Sequence, residues 1–332
     1  MPELIKRIEQ YLADRAIESP LEQLTPDAST RRYFRFQMNG RSVVACVYPD
    51  DIKHLARSYI DVTELFELND LPVAKIHEFD EVLGVLVIED LGDTIMRAQL
   101  ESSSDEQKDR LIRDAISLIP KIQAATSSAG KTNSIASRLR FDVEKLMWEL
   151  NFFKIHYFTT FKKEPLDAEV DQALNAEFMQ LSSELDSKAT VLCHRDFHAA
   201  NLMIDPTGSL RIIDHQDARI GSPTYDIVSL LLDRVTETPD TAWIAEMQNH
   251  FHTHRKSLML SELDRVGFEN EFQLQTVQRC LKAVGTFSFQ SASRGKGYFV
   301  PFIKPMFRIV LAAAESLDKF PNIQSVLKSE LR

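Results

Sequence analysis

The sequence predicts an α+β protein of two lobes, a small antiparallel-sheet lobe over residues 1–90 and a larger, mainly helical lobe over 91–332. Three observations carry this reading. The first ninety residues read mostly as alternating strands around one helix, with turn signals between them. The pattern changes after Leu91-Gly92-Asp93. Beyond that point apolar residues recur at helical spacing, interrupted by three short strand-like pieces. A cleft between such lobes is a usual place for a ligand.

The elements follow in order. "MPELIKRIEQYLADR" has the spacing of an amphipathic helix and not the layout of a signal peptide. "RRYFRFQM" and "SVVACVY" flank Asn39-Gly40, the strongest short-range hairpin signal. Residues 52–68 read as a helix with Leu55, Ile60, Leu65, Phe66 and Leu68 as its apolar positions. "AKIHEF" and "GVLVIED" are two more strands around a turn at Asp80-Glu81, and the chain hinges near 88–92. Ser104 and Gln107 have the spacing of a capping box, ahead of a helix with Ala115, Ile116, Ile119 and Ile122 on one face. Further helices start near Asp142 and near Ala168. "TVLC", "NLMID" and "LRIID" are strand-like, with "DPTG" as the turn between the last two, and from Tyr225 onward the chain is mostly helical.

Composition narrows the function classes. A chain of 332 residues with a formal net charge of -10 is a poor general binder of nucleic acid or of an anionic membrane. Three cysteines without paired spacing fit reduced thiols in a cytoplasmic protein. No run of the sequence suggests a membrane span. No motif encodes an oligomeric state.

The chemistry concentrates in "HRDFHAANLMIDPTGSLRIIDHQD", residues 194–217. Asp196 and Asn201 share a loop, and the hairpin that follows returns the chain to Asp214, so three oxygen-bearing side chains meet at the mouth of one hairpin. Magnesium takes hard oxygen ligands, through one or two protein groups plus phosphate, which suits Asn201 and Asp214. Asp196 is then placed to orient a hydroxyl and accept its proton. Phosphoryl transfer asks a protein mainly for positioning and charge neutralisation. Any one of these Asp residues alone reads as a turn or helix cap; the whole pattern does not.

"HRDFHAAN…IIDHQD" resembles the catalytic and metal segments of the aminoglycoside phosphotransferase branch of protein-kinase-like enzymes. "VLVIEDLGD" is similar to that branch's hinge and "GSPTYDIVSLL" to its segment after the metal aspartate. "DASTRRYFRF" and "QRCLKAVGTFS" look more specifically like the bacterial N-acetylmuramate/N-acetylglucosamine 1-kinases of cell-wall recycling. The resemblance implies a two-lobed protein-kinase-like fold using ATP and Mg2+, with Asp196 as base and Asn201 and Asp214 on the metal. It places the backbone from Glu89 to Leu91 at the adenine edge and gives His194 and Asp226 the support of the catalytic loop. It implies a small-molecule hydroxyl acceptor, with the anomeric hydroxyl of an N-acetyl amino sugar favoured over an aminoglycoside, choline-like or homoserine-like alcohol. Asp226 reads equally as the N-cap of "IVSLLLD".

The sequence departs from the kinase pattern in one place. Most kinases set a lysine on the third strand against the α- and β-phosphates, but "SVVACVYP" has none, and "PDASTRRYFR" has no glycine. Either arginine supplies the charge, or the chain is a nucleotide-binding regulatory pseudokinase. On an alternating strand Arg31, Tyr33 and Arg35 share one face while Phe34 and Phe36 face the core. Arg31 or Arg35 then reaches phosphate, with Ser29 and Thr30 donating from the loop tip. Glu64 either orients an arginine or is solvated. His215 packs beneath Asp214. His198 either touches substrate or holds the loop. In "SASRGKGYF", Arg294, Lys296 and Tyr298 are sugar contacts or simply a surface loop. His250, His252 and His254 alternate, but on a helix such positions point to different faces, which disfavours a zinc site.

Overall fold

A computed structural model describes residues 2–24 and 31–332. Ser29 and Thr30 lie outside the described residues. Five strands, β1 (Glu22–Leu24), β2 (Arg32–Met38), β3 (Arg41–Val47), β4 (Ile76–Asp80) and β5 (Val85–Glu89), form one antiparallel sheet in the order β1-β2-β3-β5-β4. The β2–β3 hairpin turns at Asn39 (φ 52) and Gly40 (φ 74), where both central residues adopt the positive φ that a tight hairpin needs. Helix α1 (Pro2–Asp14) covers one face of the sheet, packing Ile8 and Tyr11 onto Phe34, Phe36, Val43 and Ala45. Burying each of the two phenylalanines contributes roughly 1.5–3 kcal/mol. The opposite face carries Tyr33, Cys46, Tyr48 and Leu86 against helix α2 (His54–Leu68).

Helix α2 falls where expected, but its buried stripe differs. Ala56, Tyr59, Val62, Thr63, Leu65 and Phe66 face inward, while Leu55 and Leu68 are exposed. Leu55 lies one position off the stripe that the sheet and the second lobe cover, and Leu68 ends the helix.

After β5 the chain forms β6 (Thr94–Ile95) and helices α3 (Met96–Ser102), α4 (Asp105–Ala124), α5 (Thr126–Thr132), α6 (Ile135–Arg138), α7 (Val143–Lys154) and α8 (Ala168–Asp186). The Ser104/Gln107 capping box opens α4, and Asp142 caps α7 by accepting from the Lys145 amide. Four short strands follow: β7 (Val191–Cys193), β8 (Leu202–Ile204), β9 (Leu210–Ile212) and β10 (Arg219–Gly221). β8 and β9 form the expected hairpin and β8 also pairs with β6, whereas β7 pairs with β10, a strand not foreseen from its three-residue length. Helices α9 (Tyr225–Leu231), α10 (Thr241–Ser257), α11 (Arg265–Arg294), α12 (Ile303–Ser316) and α13 (Pro321–Glu330) complete the chain.

Helix α11 is the axis of the helical lobe. Gly285 lets it approach α7 closely, because a Cβ there would sit 2.6 Å from the Phe153 Cα. The expectation that no run suggests a membrane span needs correction. Residues 297–316 are long and apolar enough to cross a membrane by length and composition alone. Their apolarity has a packing reason: Ile303, Met306, Phe307 and Val310 are buried in the main core.

Candidate active site

The loop between β7 and β8 is held from beneath. The Asp226 carboxylate, in the first turn of α9, accepts from the backbone N–H of His194 (2.7 Å) and of Arg195 (3.1 Å). That clamp spans a residue in an uncommon conformation, since Arg195 has φ 87. The N-cap of α9 is Thr224, so of the two readings of Asp226 the geometry matches loop support. Burial raises the Asp226 carboxyl to about 7 despite the two N–H donors. His194 is fully buried and its Nε2 lies 3.0 Å from the carbonyl of Ile213, tying the loop to the strand end before Asp214.

Asp196, Asn201 and Asp214 line one cavity of about 710 Å³ between the sheet and the helical lobe. Ile213 N–H donates to the Asn201 carbonyl at 3.1 Å, so the two ends of the hairpin are adjacent, as the spacing required. The Asn201 amide nitrogen donates to the Asp196 carbonyl at 2.9 Å, which leaves its side-chain oxygen available as a ligand. Asp214 has φ 62, another left-handed residue at the site. This donor set fits magnesium: hard oxygens, and too few for an all-protein cage, so that phosphate would complete the shell. Among the described residues no group of three His, Cys, Asp or Glu side chains is placed for a metal.

Burial pushes the Asp196 carboxyl up, but Lys282, Arg195 and Arg279 outweigh it and hold it well below the usual carboxylate range. Lys282 Nζ lies 2.7 Å and Arg279 3.4 Å from the same Oδ1. Both cations come from α11 and were not foreseen. Their signal was present in the sequence as two charges, three residues apart, the two charged residues of the helical stretch 272–293.

Beside the lysine-free strand, an arginine reaches into the cleft from the neighbouring strand's start. On the cleft face β3 presents Val44 and Cys46, with Tyr48 just after its end. Arg31, just before β2, lies over the rings of Tyr33 and Tyr48 and reaches Asp214 at 3.4 Å. Arg35 goes elsewhere. It forms a bidentate pair with Asp90 (2.8 and 3.1 Å) and bonds Asp93 at 2.7 Å, fastening β2 to the hinge. The structure therefore brings Arg31 to Asp214 and leaves Arg35 off the cavity wall.

At the hinge, Glu89, Asp90 and Leu91 line the cavity. The Glu89 side chain is engaged by Arg211 at 2.7 Å. Glu64 is exposed, so it is a solvated residue. Helix α2 is linked to the site by a different pair: Thr63 Oγ1 and His215 Nε2 are 2.7 Å apart, and the imidazole lies between Tyr59 and Phe66. Burial lowers the His215 pKa to about 3, so it packs as a neutral ring beneath Asp214.

Of the suggested acceptor contacts, His198 lines the cavity and its Nδ1 is buried without a hydrogen bond. Lys296 lines a smaller adjoining cavity, whereas Arg294 and Tyr298 line neither. Trp148 and Phe152 from α7 form an aromatic wall on the helical-lobe side of the main cavity. On α10, His250 bonds the Arg113 carbonyl while His252 packs on Phe268, so these two face apart, and His254, one turn on, packs against His250 with ring centroids 4.5 Å apart.

With this geometry in hand, comparison with known proteins is direct. The model of the phosphotransferase enzyme family matches residues 20–260. An N-acetylmuramate/N-acetylglucosamine kinase of Neisseria meningitidis serogroup B is 27% identical over 278 residues, covering 83% of this chain and 80% of that one. The kinase of the same name from Pseudomonas putida is 28% identical over 88% of this chain and 84% of its own. Among solved structures, choline kinase LicA from Streptococcus pneumoniae superposes with TM-score 0.59 at 14% identity, over 93% of this chain and 99% of that one. The ADP-bound aminoglycoside phosphotransferase APH(2'')-Ib gives TM-score 0.59 at 14% identity, over 95% and 99%. Those two likenesses establish the two-lobed protein-kinase-like fold. Since the family model spans well over half of the chain and includes the whole 194–217 constellation, the chain belongs to the phosphotransferase enzyme family and is a kinase acting on a hydroxyl group.

Proposed function

We propose that the chain transfers the γ-phosphate of ATP, with Mg2+, to the anomeric hydroxyl of an N-acetyl amino sugar. One observation carries the reaction: Asp196, kept ionised by Lys282 and Arg279, shares a single cavity with Asn201, Asp214, Arg31 and the hinge. Asn201 and Asp214 would hold the magnesium, whose charge offsets that of the phosphates. Arg31 takes the place of the strand lysine, and the backbone of residues 89–91 meets the base of the nucleotide. Asp196 orients the acceptor hydroxyl. A carboxylate with a depressed pKa is a weak base that orients the hydroxyl more than it deprotonates it, and an anomeric hydroxyl, more acidic than an ordinary alcohol, asks less of such a base.

The amino-sugar acceptor is supported by the names of relatives aligned over most of their length. It is supported also by charge. The smaller cavity beside Asp196 is lined by Arg234, Arg279, Lys282 and Lys296, against Asp196 and Asp233. Such a lining disfavours a polycationic aminoglycoside or a choline-like cation. We place the lobe boundary at residues 90–91 and the protein in the cytoplasm, where ATP is supplied.

The test is a panel of free amino sugars, aminoglycosides and amino alcohols with ATP and magnesium, following ADP release. Turnover should appear with N-acetyl amino sugars, and 31P NMR should place the phosphate on the anomeric oxygen. Absence of turnover on every amino sugar, or phosphate on another hydroxyl, would overturn the reading.

A further inference from the structure

Beyond Asp196 the main cavity opens into a second one of about 140 Å³. The two share Asp196, His198, Arg234, Lys282 and Thr286. No sheet or hinge residue lines the second cavity, nor does Asn201 or Asp214, which puts it on the acceptor side of Asp196. In a chain of net charge -10, its lining holds four cations and two acids.

The acids are already engaged. Asp196 is held by Lys282 and Arg279. Asp233 is held by Arg97, which donates to its carboxylate at 2.8 Å and to its carbonyl at 3.1 Å. Arg234 approaches that same carboxylate oxygen only at 3.5 Å, too long for a good hydrogen bond. Its Nε is buried with no hydrogen-bond partner. The guanidinium is nevertheless fixed in place: it lies 5.1 Å over the ring of Phe299, which is itself stacked on Phe287. Arg234 also has φ 50, an uncommon backbone conformation for this residue type.

A guanidinium that is largely shielded from water, held by an aromatic wall and short of an acceptor is a preformed anion site. Its planar fork matches a carboxylate. We propose that Arg234 reads a carboxylate carried by the acceptor. An N-acetyl amino sugar with an acidic side arm is therefore preferred over its neutral counterpart. This rests on the amino-sugar reading above. N-acetylmuramate and N-acetylglucosamine are the matched probes, since the first carries a carboxylate on its ether arm and the second carries none.

The experiment is the ratio of kcat/KM for N-acetylmuramate to that for N-acetylglucosamine, in the wild type, R234Q and R234K. Loss of one charge-assisted contact should lower the ratio at least about tenfold in R234Q, mainly through KM for the acidic sugar, with partial recovery in R234K. If R234Q does not fold, the wild type still decides: raising salt should lower the ratio, because only the acidic sugar depends on an ion pair. An unchanged ratio in R234Q, or a salt-independent ratio in the wild type, sinks the anion subsite and leaves the amino-sugar reading standing. Turnover of neither sugar by the wild type overturns both.

Discussion

Lys282 Nζ lies 2.7 Å from Asp196 Oδ1, which joins the loop after β7 to the middle of α11. Arg279, one helical turn earlier, reaches the same oxygen at 3.4 Å. The residue proposed to orient the acceptor hydroxyl is thus the centre of a partly buried charge cluster, and its depressed pKa follows from that.

Replacing Asp196 with Asn should lower kcat by roughly 10²–10⁴-fold, the usual range for a positioned proton acceptor. Binding of a fluorescent ATP analogue should be largely kept, because the hinge and Arg31 are untouched. A regulatory pseudokinase would keep its biological effect in D196N, and that outcome would count against an enzymatic role.

Replacing Lys282 with Met removes the nearest cation from Asp196. A carboxyl depressed in the folded state keeps its pairing at neutral pH and loses it as pH falls through its folded value. Without Lys282 that value rises toward the ordinary carboxylate range. The kcat/KM profile of K282M should therefore gain an acid limb at higher pH than any in the wild type, along with a lower kcat. A profile merely scaled down, with no shift of the limb, would place Lys282 outside the chemistry.

Arg31 replaced by Ala should raise KM for ATP, because Arg31 is the cation next to Asp214 on the sheet side. R31K should recover only part of the loss, since lysine lacks the planar fork that engages phosphate through two nitrogens. Steady-state kinetics at saturating acceptor would decide it, and an unchanged KM for ATP would return the search for the missing strand lysine to other residues.

Asp226 should couple stability to pH. Its carboxyl is raised from 3.8 to about 7 in the folded state, so the folded protein binds more protons than the unfolded chain between those values. Stability from this group is present below the lower value and is lost as pH rises through about 7. Asp226→Asn should remove that slope. It should also lower Tm, because an amide cannot accept from both His194 and Arg195 without turning its own N–H groups toward a donor; the cost is about 1–3 kcal/mol. Urea unfolding of both proteins across this pH range is the measurement.

Gly285→Ala should destabilise the protein by about 1–3 kcal/mol, the usual cost of overpacking. The added methyl meets the Phe153 backbone, which cannot move without shifting α7. Because α11 also carries Arg279 and Lys282, kcat should fall along with Tm.

Much of the site was legible because it is local. Asp196, Asn201 and Asp214 are spaced by a loop and a two-stranded hairpin, and hairpin geometry alone brings the two ends together. The alternation in "RRYFRF" likewise separated Phe34 and Phe36, which are buried, from Arg31 and Tyr33 on the cleft side. Arg35 shows the limit of that logic. It lies on the cleft face as the period requires, yet three acids of the β1 strand and the hinge, Glu22, Asp90 and Asp93, claim its guanidinium.

The sequence by itself determined the two-lobed α+β architecture, the hairpin turn at Asn39-Gly40 and the oxygen triad, because periodicity, turn chemistry and short-range spacing act over a few residues. Only the tertiary structure decided which cations serve that triad. Lys282 stands 86 residues from Asp196, and Arg31 stands 183 residues from Asp214. Contacts over such separations depend on how α11 and the sheet pack around the cleft, and no local pattern encodes that packing.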